Sequence, residues 1–131
     1  TADGRTLAVA TDTGCMTDTI RGALVGCDLV LLESNHDIRM LENGPYPYYL
    51  KRRILGERGH LSNECCAAEL PFLAQNGTTR FVLGHLSKEN NFPDLAYNTS
   101  LAVLQRAGLR AGKDFLLSVA PRNADAPVMV L

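Results

Sequence analysis

The sequence predicts an α/β fold built around a parallel sheet, and three observations carry that prediction. Short apolar runs rich in Val and Leu, spanning 6–11, 28–33 and 79–84, are separated by longer stretches with helical signals. Such runs read as strands buried on both faces, and helical crossovers between them imply parallel order. Each run stops at a polar residue, namely Asp12, Glu33 or His85. Ligands of open α/β sheets bind beyond the carboxyl ends of the strands, so these three groups point to one site.

The bulk numbers fit that class. With 131 residues the chain makes one domain, able to bury about two-thirds of its extended surface. The apolar and charged fractions, 46% and 21%, are those of an ordinary globular protein. A net charge of −1 gives no global basic field toward nucleic acid or an anionic membrane. No apolar stretch approaches the ~20 residues of a membrane span and no signal peptide is visible, so a cytoplasmic protein with no membrane partner is expected.

The elements follow in order. Asp3-Gly4 has the signature of a tight hairpin turn before the first strand, with no strand ahead of it; this reads as the start of a carboxyl-terminal piece. Asp12-Thr-Gly14 leads to a helix reaching about Val25, with Thr17 as cap and Asp18 in its first turn. Gly26 closes it and the 28–33 strand follows. A short helix over 37–42 ends at Asn43-Gly44-Pro45, and 48–55 forms another carrying Lys51-Arg52-Arg53. Ser62 or Asn63 caps a helix to Gln75, and Asn76-Gly77 stops it before the third strand. Pro93 opens a helix over 94–107. The segments 114–120 and 128–131 read as final strands.

Of the residues able to do chemistry, Asp12, Glu33 and His85 suit a divalent metal, since carboxylate oxygen and imidazole nitrogen are ordinary ligands for zinc, manganese or iron. A helix-capping Asp and a hydrogen-bonded strand-end His are the bland counterparts. Cys15, Cys27, Cys65 and Cys66 fit no zinc module, and they are read as reduced thiols without a role. Asn98-Thr-Ser100 fits a glycosylation sequon without consequence on a helix. Ser62, Asn63, Ser87 and Asn91 read as loop caps, and Tyr46, Tyr48 and Tyr49 as packing residues.

Four ordered motifs carry a resemblance over nearly the whole chain: Ala10-Thr-Asp-Thr-Gly14, Glu33-Ser-Asn-His-Asp37, Gly59-His-Leu-Ser-Asn63 and Gly84-His-Leu-Ser-Lys-Glu-Asn-Asn91. Met40-Leu41, Tyr46-Pro47 and Lys51-Arg-Arg-Ile54 extend it. Together they resemble the later motifs of the metallo-β-lactamase superfamily, in its YycJ/WalJ-like branch. The resemblance implies half of an αββα sandwich, a mixed sheet flanked by helices, with residues 1–131 as the carboxyl-terminal half of one domain. It also implies a metal-dependent hydrolase of phosphodiesters, a nuclease acting on DNA or RNA. The cofactor would be two divalent ions, zinc or manganese. Asp12 matches the carboxylate that bridges the two ions and His85 the last histidine ligand.

By similarity to ribonuclease Z enzymes, Glu33 and His60 form a hydrogen-bonded pair near the scissile phosphate, with His60 able to shuttle a proton. His36, three residues beyond Glu33, lines the cleft or begins a helix; it is counted with the catalytic candidates. Lys51, Arg52, Arg53 and Ser87 are the candidate substrate-binding residues, the three cations as phosphate contacts. The superfamily's His-x-His-x-Asp-His motif is absent from these residues, so the chain alone is expected to bind metal poorly and to be inactive. Its expected partners are a nucleic-acid substrate and its own amino-terminal half; without that half, self-association is expected. The alternatives are a small-molecule ester or phosphodiester hydrolase, and a non-catalytic α/β binding module in which Asp12 and His85 are structural.

Overall fold

Apolar β-branched and leucine runs take extended backbone when each can pair on both sides, and four segments of this chain do so. The computed structural model describes residues 6–10, 16–56 and 59–120. Within them the chain forms β1 (Leu7–Ala10), α1 (Asp18–Leu24), β2 (Leu29–Glu33), α2 (Ile38–Asn43), α3 (Tyr48–Leu55), α4 (Asn63–Gln75), β3 (Arg80–Gly84), α5 (Pro93–Arg106) and β4 (Leu116–Val119). The strands lie in the order β1-β2-β3-β4 and every pair is parallel. The architecture is α/β, a parallel four-stranded sheet with helices, consistent with half of a sandwich. The antiparallel pairing that a mixed sheet requires is not among the described residues.

Three helices start on side-chain caps: Thr17 and Ser62 as expected, and Asp37, expected as the first helical residue. Thr17 Oγ1 accepts from the Ile20 amide at 3.2 Å, Asp37 from that of Met40 at 3.0 Å, and Ser62 Oγ from that of Cys65 at 3.1 Å. Each satisfies an amide that the first helical turn leaves without a partner. Pro93 stands at the first position of α5, where its missing N–H costs nothing. The last strand is shorter than the 114–120 expected, because Ala111 and Phe115 instead form an isolated bridge ahead of it. The Asp3-Gly4 turn, Asp12-Thr-Gly14, Cys15 and the 128–131 strand lie outside the described residues.

Strand order and helix placement are linked. When parallel strands are laid down in sequence order with crossovers of one hand, every crossover falls on the same side of the sheet. That side holds the core: Val30, Leu32, Phe81 and Leu83 meet Leu24 of α1, Cys66, Leu70 and Leu73 of α4, and Ala96 and Leu104 of α5. Arg21 of α1 grips Glu69 of α4 through two bonds of 2.7 and 2.8 Å, tying the two helices across this layer. The register places Leu7, Leu29, Arg80 and Leu116 on the other face, and Val9 with Leu31 and Val82. There Leu7, Val9 and Leu116 are 53%, 59% and 54% exposed. Glu33, at the carboxyl end of β2, projects from this same face.

Candidate active site

The site begins with a buried carboxylate. Glu33 ends β2, is wholly inaccessible to solvent, and is paired in register with Gly84 of β3. Gly84 offers no side chain on that face; a Cβ there would stand 3.0 Å from Leu31 Cδ2. A carboxylate survives such burial only when donors surround it. Two imidazoles supply them. Nδ1 of His60, from the loop before α4, and Nδ1 of His85, just past β3, each lie 2.6 Å from Glu33 Oε2. The two rings meet edge to face, their centroids 5.3 Å apart at 65°.

With Glu33 ionised, the three groups take one hydrogen pattern. An ionised carboxylate only accepts, so each Nδ1 carries its proton, and in a neutral ring Nε2 holds the lone pair. This is how a carboxylate orients an imidazole whose other nitrogen takes a metal or exchanges a proton. The donor set of two imidazoles and one carboxylate also fits a divalent ion as direct ligands. Ligands around tetrahedral zinc stand about 3.3 Å apart, given bonds near 2.0–2.1 Å. The observed 2.6 Å separations are therefore those of hydrogen bonds.

The backbone is shaped to bring the three together. His85 has φ of 58°, a left-handed conformation that non-glycine residues rarely adopt and that clusters at functional sites. Three loops are bolted to one another beneath it. The Ser34 amide donates to the Gly84 carbonyl at 2.9 Å, that of Asn35 to Leu61 at 2.8 Å, and that of Ser87 to Asn35 at 2.6 Å. Below these, Asn63 and Asn91 pair through both amide groups at 2.9 Å, and Ser34 Oγ donates to Asn63 Oδ1 at 2.5 Å. Asn91 Nδ2 also reaches the Ser34 carbonyl at 2.9 Å.

His60 and His85 open into a cleft of about 600 Å³. Leu50, Ile54 and Leu86 form its apolar wall, and Asn35, Tyr46, Arg53 and Ser87 its polar one. Tyr46 contacts Glu89 and Ser87; burial, reinforced by Glu89, raises its phenol above the usual range. Ser87 Oγ also accepts from the Asn90 amide at 3.2 Å.

The sequence-derived candidates separate by position. Glu33, His60 and His85 come together, and Arg53 and Ser87 face the same cleft. Lys51 is turned away, its Nζ donating to the Glu42 carbonyl at 2.8 Å. Arg52 lies over the Tyr48 ring, 5.8 Å from its centroid. His36 is buried at 1% exposure and is not among the residues lining the cleft. Its Nδ1 faces Asn35 Oδ1 at 3.2 Å, and burial, helped by neighbouring His60, pushes its pKa down to about 4. Asp12 lies outside the described residues.

Two readings of the sequence are corrected. Asn63 and Asn91 are not simple loop caps but an amide pair buried between the site loops. Tyr48 and Tyr49, expected to pack, are 75% and 74% exposed, because α3 buries none of its residues. Asn35 carried no sequence signal beyond its place beside His36, yet it touches both histidine loops.

No family model matches the chain, and no solved structure does. Among curated proteins it is 42% identical over 113 residues to exodeoxyribonuclease WalJ from two strains of Streptococcus pneumoniae. It is 39% identical over 113 residues to exodeoxyribonuclease YycJ of Bacillus anthracis. Each match takes in 86% of this chain, which spans only 42–43% of the length of these relatives. Identity at that level over most of the chain makes it homologous to proteins named exodeoxyribonucleases.

Proposed function

We propose that this chain is the carboxyl-terminal half of a metallo-β-lactamase-type hydrolase whose complete form digests DNA from an end, with a divalent metal, zinc or manganese, as cofactor. The observation that carries the reading is the carboxylate of Glu33 shared by His60 and His85 at the mouth of a cleft edged by Arg53. The names of the homologous exodeoxyribonucleases support DNA as the substrate class and attack from an end. The open apolar face of the sheet supports a second half packed over it, contributed by the complete protein.

In this reading Glu33 holds both imidazoles with Nδ1 protonated and turned inward. The remaining nitrogen of His60 then exchanges a proton with a substrate oxygen in the cleft, and that of His85 serves as a metal ligand, joined by Asp12. When bound, two divalent ions supply an ionised water and neutralise the charge that develops on the phosphate. Arg53 meets a backbone phosphate, and Ser87 with Tyr46 borders the nucleotide beside it. Exposed Tyr48 and Tyr49 on the same helix offer flat faces on which bases of a single strand can stack. The proposed setting is the cytoplasm, and no described helix is long and apolar enough to cross a membrane.

The test is digestion of end-labelled DNA by the complete protein with zinc, manganese or a chelator present. His85→Ala should remove metal and activity while the melting temperature stays near that of the parent. Loss of fold before loss of metal would favour the binding-module reading instead.

A further inference from the structure

Beyond the three groups at its centre, the site depends on a residue that touches none of the reacting atoms. We infer that Asn35 is a positioning residue that sets His85 against Glu33; the inference rests on the reading of Glu33, His60 and His85 as the reacting site. Asn35 Nδ2 donates to the His85 carbonyl at 2.8 Å, at the residue whose φ of 58° swings the ring toward Glu33. Its Oδ1 faces His36 Nδ1 at 3.2 Å, and that contact fixes which way the amide points. Its own backbone binds both histidine loops, the N–H to Leu61 beside His60 and the carbonyl to the Ser87 amide.

A left-handed residue costs on the order of 1–3 kcal/mol and persists only where its surroundings over-determine it. Around His85 those surroundings include a carbonyl anchored by Asn35 and a ring anchored by Glu33. Removing the amide donor takes away this anchor of the carbonyl, and the backbone can relax toward ordinary φ. That rotation carries the His85 ring away from Glu33 Oε2. His60 keeps its own bond to the carboxylate, so the two histidines should respond differently.

The experiment uses long-range ¹⁵N–¹H spectra of the 131-residue chain, which report the protonated nitrogen of each imidazole. Asn35→Asp keeps the oxygen facing His36 and deletes the donor; Asn35→Ala deletes both. The expected result is a His85 ring that loses its fixed Nδ1–H form in both variants, with the His60 pattern retained and thermal unfolding still cooperative. In the complete protein, zinc affinity should fall about tenfold or more, the size seen when a group that orients a ligand is lost. An unchanged His85 spectrum in either folded variant overturns the inference. So does failure of both variants to fold, which would make Asn35 purely structural. Because the spectra require no turnover, a parent protein without nuclease activity would count against the proposed function and leave this test intact.

Discussion

Glu33 and His60, 27 residues apart in sequence, meet at 2.6 Å where the end of β2 faces the start of α4. The contact joins a side chain with no solvent exposure to one that is a third exposed, so the outer imidazole nitrogen is reachable while the carboxylate that orients the ring is sealed. Glu33→Gln keeps the volume and one acceptor but removes the charge that both imidazoles face. DNA digestion by the complete protein should fall about 10²-fold or more, the scale of a positioned acid–base group. Metal affinity should fall about 10–100-fold. Full activity in this variant would remove Glu33 from the mechanism.

Arg53 and its two basic neighbours should part company in binding. Arg53 lines the cleft, while Lys51 and Arg52 are engaged elsewhere on the surface. Arg53→Ala should weaken binding of a non-cleavable single strand and reduce the salt slope by about 0.7, the value for one lost phosphate contact. Lys51→Ala and Arg52→Ala should leave the slope in place. Equal losses in all three variants would mean a diffuse basic field.

His36 makes the fold sensitive to acid. Its pKa is held down to about 4, chiefly by burial, against 6.5 in the unfolded chain. The unfolded chain therefore takes up a proton first as pH falls. The contribution of neutral His36 is complete above about pH 6.5 and is lost progressively toward pH 4, up to about 3 kcal/mol in all. Replacing it with a neutral residue of similar volume, His36→Gln, should flatten that part of the stability–pH curve. Urea denaturation at pH 7, 5.5 and 4.5 measures it; the same acid loss in parent and variant would trace it to other groups.

The adjacent thiols should differ sharply toward an alkylating reagent. Cys65 is on the exposed side of α4, whereas Cys66 is fully buried and burial pushes its thiol up to about 12. The thiolate is the nucleophile, so native labelling should mark Cys65 and spare Cys66 until the protein unfolds. Peptide mass mapping before and after denaturant reads this directly.

The uncovered face of the sheet should make the isolated chain self-associate. Leu7, Val9 and Leu116 lie exposed on it, and β1 and β4 are the edges of the described sheet. Val9→Glu with Leu116→Glu should lower the mass found by light scattering at high concentration without changing the helical signal. A parent chain that stays monomeric there would argue that the face is covered from within.

Much of the architecture was legible because it is written locally. The strand runs at 28–33 and 79–84, the caps Thr17 and Ser62, and Pro93 at a helix start depend on residues within a few positions, and each appears where the pattern puts it. The pairing of Glu33 with His60 came from motif resemblance, and the geometry agrees with it. The arrival of His85 on the same oxygen was not legible, since it depends on a single left-handed residue and on parallel register across 52 positions. Nor was the Asn63–Asn91 amide pair, because contacts 28 residues apart leave no periodic trace. Tyr48 and Tyr49 misled for the opposite reason: aromatic residues in a short helix look like core, but α3 has no layer to sink into.

Gly59 has a consequence for how the cleft can move. A Cβ at that position would fall 2.2 Å from the Ile54 carbonyl oxygen and 2.3 Å from that of Arg53, distances no side chain can occupy. The bare backbone lets the His60 amide bond the Ile54 carbonyl at 3.0 Å, so the end of α3 and the His60 loop are welded together. Arg53 and the His60 imidazole thus ride on one stiff piece of backbone. If the proposed function holds, a strand advancing by one nucleotide could not be released by swinging Arg53 alone, and the spacing between phosphate contact and proton exchange would be set by the length of that short weld.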